Sequence, residues 1–130
     1  MKIRKVLFTM VRFLPAIAWM ALIFSLSSVQ NLELQGELLP FDYVLRKLAH
    51  MTEYAILTIL VWWGSGIHLS ERKVGVAIIV SVLYAMVDEY HQSVVPTRGG
   101  KITDAGIDAM GVFVAYCLIQ YRYGKNNTSS

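Results

Sequence analysis

Ionisable and amide side chains gather in three short stretches of an otherwise apolar chain of 130 residues. Lys47, His50, Glu53 and Tyr54 form the first, Asp88, Glu89, His91 and Gln92 the second, and Asp104 with Asp108 the third. Between the second and third lie Pro96, Arg98, Gly99, Gly100 and Lys101. Arg98 offers a planar fork suited to phosphate or carboxylate, and Lys101 adds a second cation beside it. Lys47, Tyr54 and Gln92 could orient a bound group, while His50 or Glu53 could move a proton. Asp88, Glu89, Asp104 and Asp108 could ligate a divalent metal through oxygen. That donor set suits phosphoryl chemistry better than nucleophilic catalysis, because no Ser or Cys has an evident activating partner.

The elements that must position these residues are predicted helices long enough to cross a bilayer. Hydrophobic residues make up 55% of the chain and charged ones only 16%, with a mean hydropathy of +0.49. A soluble domain this small buries too little of its surface to hide so much apolar side chain. Four apolar runs, about 6–27, 48–67, 74–90 and 105–121, approach the ~20 residues a spanning helix needs. Pro15 falls inside the first, where a membrane helix tolerates it. The expected architecture is all-α: a polytopic membrane protein, one four-transmembrane-helix bundle over residues 1–130, with a polar tail at 124–130. Residues 31–45, holding Glu33, Glu37 and Asp42, read as the longest connection, an interfacial or re-entrant piece.

Charge placement sets the expected orientation. Lys2, Arg4 and Lys5, then Arg72 and Lys73, then Arg122 and Lys125 fall on one side of four crossings. By the positive-inside rule both termini are cytoplasmic. The apolar run after Lys5 is long for a signal-peptide core and lacks an A-x-A ending, so an uncleaved first helix is expected. The start of helix two, the end of helix three and the start of helix four then share the outer face. A net charge of +3, dispersed between apolar runs, excludes a nucleic-acid footprint. The single cysteine, Cys117, excludes an intrachain disulfide and reads as inert packing.

Plainer readings compete at individual positions. Asp104 follows Thr103 at a helix start, where either residue could be an N-cap. Glu53 could pair with Lys47 or His50 merely to make insertion tolerable, since a charge at mid-bilayer costs about 2.5–3.5 kcal/mol. Arg12 reads as a snorkelling side chain, Trp19, Trp62 and Trp63 as packing or interfacial anchors. Gly111 and Ala115, spaced small-xxx-small, read as a close helix contact. Capping and pairing alone do not require three clusters at one depth and on one side. Their convergence into an outward-facing polar pocket is the sharpest expectation.

These residues also resemble a known family. Arg46-Lys47-Leu48-Ala49-His50-Met51-Thr52-Glu53-Tyr54 is similar to the R-K-x-x-H-x-x-E-Y pattern of VanZ-like proteins. Asp88-Glu89-Tyr90-His91-Gln92, Pro96-Thr97-Arg98, and Asp104, Asp108 and Gly111 resemble its later elements in order and spacing, and Phe24-Ser25-Leu26-Ser27-Ser28 its Ser-rich end of helix one. The likeness covers about residues 14–118. Many relatives carry Asn where Asp108 stands and Gly where Thr97 stands. The resemblance implies a small integral protein of the bacterial cell membrane, in a family named for a teicoplanin (glycopeptide) resistance factor. It implies no mechanism.

Three functions stay open on the sequence. One is an envelope protein that binds or modifies an anionic or lipid-linked component and lowers glycopeptide or lipopeptide access. Another is a small oligomeric transporter or flippase, and the third a non-enzymatic accessory subunit. An enzyme, with or without a divalent metal, and a non-enzymatic protein both fit these residue types.

Overall fold

The computed structural model describes residues 2–28, 39–66, 70–95 and 102–124, and these form four helices with no strand among them. They are α1 (Lys2–Ser28), α2 (Leu39–Gly64), α3 (Glu71–Val94) and α4 (Ile102–Tyr123). At 1.5 Å per residue they are about 33–40 Å long, against a hydrocarbon core of about 30 Å. Two of them, α1 and α3, are also apolar enough to cross a membrane. Both α2 and α4 fall short of that mark: charged side chains are spaced along α2 from Asp42 to Glu53, and α4 holds Asp104, Asp108 and Arg122.

Helix α1 continues through Pro15. Helix α2 begins at Leu39, so Asp42 and Leu45 belong to a helix and not to the expected connection. This start adds more than two turns and brings Asp42 one turn from Arg46, which it pairs at 3.1 Å. Helix α4 begins at Ile102, so Thr103 and Asp104 lie inside its first turn. Asp104 therefore meets the positive end of the helix dipole as a first-turn acid, not as the N-cap.

Side-chain bonds set the helix directions. The Trp19 indole N–H donates to the Glu53 carbonyl at 2.9 Å, and Arg12 donates to the Trp63 carbonyl at 2.9 Å. These two contacts make α1 and α2 antiparallel. Arg12 also lies over the Trp63 ring, 5.4 Å from its centre, and supplies the positive charge that the C-terminal end of α2 lacks in its own last turn. Its role is thus more specific than snorkelling. Lys47 pairs with Asp104 at one end of α2 and α4, and Trp62 packs on Tyr123 at the other, 4.9 Å between ring centres. Those two helices run parallel. The Tyr84 hydroxyl donates to the Met20 carbonyl at 2.6 Å, tying α3 to α1. Helix α2 packs against each of the other three.

The tightest approach is at Gly111 of α4, where a Cβ would collide with the Met51 carbonyl of α2. Only glycine permits that backbone contact. It continues along the fully buried Ala115, as small-xxx-small spacing anticipates.

The bundle buries polar side chains within a core that also holds Ile23, Leu57, Val61 and Trp62, and its outside is largely apolar. Asp88, Asp108, Glu89, Gln92, Ser81 and Thr58 are buried, whereas Phe8, Leu14, Ile79, Met86, Phe113 and Leu118 are exposed. Cys117 is also exposed, which corrects its reading as packing. Buried acids together with so many exposed large apolar side chains are the informative departure from a water-soluble pattern.

Gly111→Leu is expected to force α2 and α4 apart and cost about 1–3 kcal/mol, the usual cost of overpacking. Gly106→Ala, on the exposed face of the same helix with open space around it, is expected to be neutral or mildly stabilising. Thermal unfolding of the two variants in detergent checks the contrast.

Candidate functional site

The N-terminal ends of α2 and α4 meet the C-terminal ends of α1 and α3 at one end of the bundle. Nine of the eleven residues singled out from sequence lie there in two layers: Lys47, His50, Glu53, Tyr54, Asp88, Glu89, Gln92, Asp104 and Asp108. The other two, Arg98 and Lys101, lie outside the described residues, as do Glu33 and Glu37.

The inner layer is built on Asp88, which is 2% exposed. Its Oδ2 accepts from the Tyr54 hydroxyl at 3.1 Å and from the Gln92 amide at 2.9 Å. Gln92 donates also to Ser27 Oγ at 3.2 Å. One carboxylate therefore joins α3 to α2 directly and to α1 through Gln92. Asp88 Oδ1 has no hydrogen-bond partner among the described residues. Tyr54 is fully buried and serves this network. The i,i+4 spacing of Asp88 and Gln92 makes their bond possible, since both face the same side of α3.

The outer layer joins α2 to α4. Lys47 forms its ion pair with Asp104 at 2.5 Å. His50 Nδ1 stands 3.5 Å from Glu53 Oε2 and 3.9 Å from Asp108 Oδ1. Asp108, itself 3% exposed, lies within electrostatic reach of Glu89, Asp88, Lys47 and Asp104. The two layers are thus one connected set of charges. Of the two partners anticipated for Glu53 as plain structural support, His50 lies beside it, while Lys47 pairs with Asp104.

A polar cavity of about 300 Å³ opens beside this cluster, lined by Ser27, Asp42, Arg46, Ala49, His50 and Glu53 among others. Of the described residues expected from sequence, only His50 and Glu53 line it. Gln92 bonds to one of its walls, Ser27, and Asp88 and Tyr54 continue that chain of bonds into the interior. Sequence reasoning missed Asp42, Arg46 and Ser27 as lining groups. The signal for the first two was their i,i+4 spacing with His50 and Glu53 a further turn on, legible only with the helix begun before Asp42. Ser27 faces Gln92 across the bundle, which no local spacing reveals.

The arrangement can exchange protons and hold hydrogen-bonding groups. Six carboxylates (Asp42, Glu53, Asp88, Glu89, Asp104, Asp108) surround two permanent cations, Arg46 and Lys47, so the described site is acidic. Among the described residues no three or more His, Cys, Asp or Glu side chains stand close enough together to hold a metal ion. Three of the four acids considered as oxygen ligands, Asp88, Asp104 and Asp108, lie instead in pairs and bonds with protein groups.

A family description, VanZ/LLP1, matches residues 6–123, nearly the whole chain. No curated protein and no solved structure matches it.

The shared acceptor at Asp88 predicts coupling between its donors. Tyr54→Phe and Gln92→Leu are each expected to cost about 1–2 kcal/mol, the range for bonds to a charged group tempered by the weaker values inside membranes. The double variant is expected to depart from their sum by more than about 0.5 kcal/mol, because both act on one oxygen. Unfolding midpoints in detergent complete the cycle.

Proposed function

The chain belongs to the VanZ-like family, and from that membership we propose a multi-pass protein of the cell membrane, its four helices crossing and both termini in the cytoplasm. Its cluster at the opposite, outer face binds or modifies an anionic or lipid-linked envelope component. By doing so it lowers the access of teicoplanin-type glycopeptides or lipopeptides to their target. The bilayer is its solvent and the envelope component its partner.

One observation carries the reading. Charged residues of α2, α3 and α4, with Ser27 of α1, gather in hydrogen bonds and ion pairs that interact electrostatically at a single end of a bundle whose exterior is largely apolar. Ionisable groups are costly inside a membrane and persist there chiefly where they serve a pathway or a site. The pair His50 and Glu53, on the wall of the cavity, is placed to take or give a proton to whatever occupies it. Helices α1 and α3 support the crossing by length and composition. For α2 and α4 the support is their apolar outer faces, with Leu48, Phe113 and Leu118 exposed.

Glu53→Gln and His50→Ala are expected to return cells to the drug susceptibility of a strain lacking the protein, at undiminished abundance in the membrane. Loss of abundance without an independent loss of protection would reduce these residues to structural pairing. In a Cys117→Ser background, a cysteine at the exposed Tyr43 is expected to react with an impermeant maleimide on intact cells. Cysteines at Arg4 and Arg72 should react only after permeabilisation. Labelling of all three from one side would sink the topology.

A further inference from the structure

The polar cavity does not end in polar residues. A second cavity, of about 400 Å³, adjoins it between α1 and α2 and is lined by Trp19, Leu45, Leu48, Thr52 and Ile56. Ala49 and Glu53 line both. The sequence of α2 explains the division. At about 100° per residue, Asp42, Glu53, Arg46 and His50 fall within about 100° to one side of Ala49. Ile56, Leu45, Thr52 and Leu48 fall within the same arc on its other side. The small methyl of Ala49 leaves the border between the two stripes open.

Each space has the size of a small-molecule site. The apolar stripe runs from Leu45 to Ile56, about 16 Å along the helix axis, which is about half of a ~30 Å hydrocarbon core. That is the depth of one leaflet. Leu45 and Leu48 are half exposed, 52% and 50%, so the groove opens sideways towards lipid. On its inner side the bond from Trp19 to the Glu53 carbonyl holds α1 against α2.

The charges in the polar part restrict the head that could enter. Asp42 and Glu53 would repel a bare phosphate, and Arg46 already pairs with Asp42 at 3.1 Å. Hydroxyl groups, by contrast, both donate to carboxylates and accept from Arg46 and Ser27, with no unpaired charge brought out of water.

We infer that the α1–α2 face is a binding site for a single-leaflet amphiphile, its uncharged, hydroxyl-bearing head in the polar cavity and its chain in the adjoining groove. This rests on the proposed function and narrows its partner to the lipid-linked class with a sugar-like head. The acidic lining makes the alternative, an anionic head, the disfavoured one. The chain enters laterally between the helices, so no passage through the bundle is required.

The test uses the full chain in phosphatidylcholine nanodiscs carrying a trace of a glucosyl diacylglycerol with diazirine-bearing chains. Phosphatidic acid with the same chains is the comparison. After illumination, the glucosyl lipid is expected to label residues 45–56 about tenfold more than phosphatidic acid does, a difference within reach of a few polar contacts. Ala49→Trp and Thr52→Trp, both at exposed positions, are expected to lower that labelling about tenfold while the unfolding temperature holds. Equal labelling by the two lipids, preference for phosphatidic acid, or labelling spread evenly over α3 and α4 would overturn the inference. So would a well-folded Ala49→Trp protein that labels as before. The susceptibility of the Glu53→Gln strain separates the two claims. If groove labelling fails while Glu53→Gln still abolishes protection, only the amphiphile assignment falls. If labelling succeeds while Glu53→Gln protects normally, the amphiphile site stands and the resistance reading falls.

Discussion

A carboxylate withdrawn from solvent must find hydrogen-bond donors on neighbouring elements, and in this protein that requirement organises the bundle. Asp88 sits 2% exposed in the interior, and its donors come from α2 through Tyr54 and from its own helix through Gln92. Gln92 then reaches Ser27 of α1. Apolar packing between helices is non-directional, and in lipid it offers little preference for one rotation of a helix over another. Directional bonds to a buried acid supply that preference. They turn α2, α3 and the end of α1 to one mutual orientation, and the ion pair of Lys47 with Asp104 does the same for α4.

Close packing and polar bonding reinforce one another. Gly111 lets the backbone of α4 approach Met51 of α2, and that approach brings Asp108, one turn earlier, within 3.9 Å of His50. A side chain at position 111 would separate the charges along with the helices. The same logic explains the far end, where Arg12 bonds the Trp63 carbonyl and stacks on its ring. That end carries the basic residues Lys2, Arg4, Lys5, Arg72, Lys73 and Arg122, and a large, mostly apolar cavity lined by Trp62, Trp63, Leu118, Arg122 and Tyr123 among others lies there.

The proposed site follows from a junction of two environments. Helix α2 carries an acidic stripe and an apolar stripe side by side, with Ala49 between them, and α1 walls both. An amphiphile has the same division in its own structure. The acids deeper in the bundle connect to the cavity through His50, Glu53 and Asp108, so a change of protonation in one part of the cluster is felt electrostatically by the rest.

Much of this was legible from residue order alone, because periodicity and apolar run length report directly on helices. Four helices, the gathering of Lys47, His50, Glu53, Asp88, Gln92, Asp104 and Asp108 at one end, and the close contact at Gly111 all follow from spacing and from the cost of charge in lipid. Chain order also carried the family likeness, since the motifs are short and local. Tertiary structure alone decided which acid meets which base. It paired Lys47 with Asp104, bonded the Tyr54 hydroxyl to Asp88, and brought in Ser27, Asp42 and Arg46 as cavity walls. The physical reason is that a helical wheel gives the direction of a side chain about its own axis but not the rotation of one helix against the next. That rotation is set by bonds between residues dozens of positions apart.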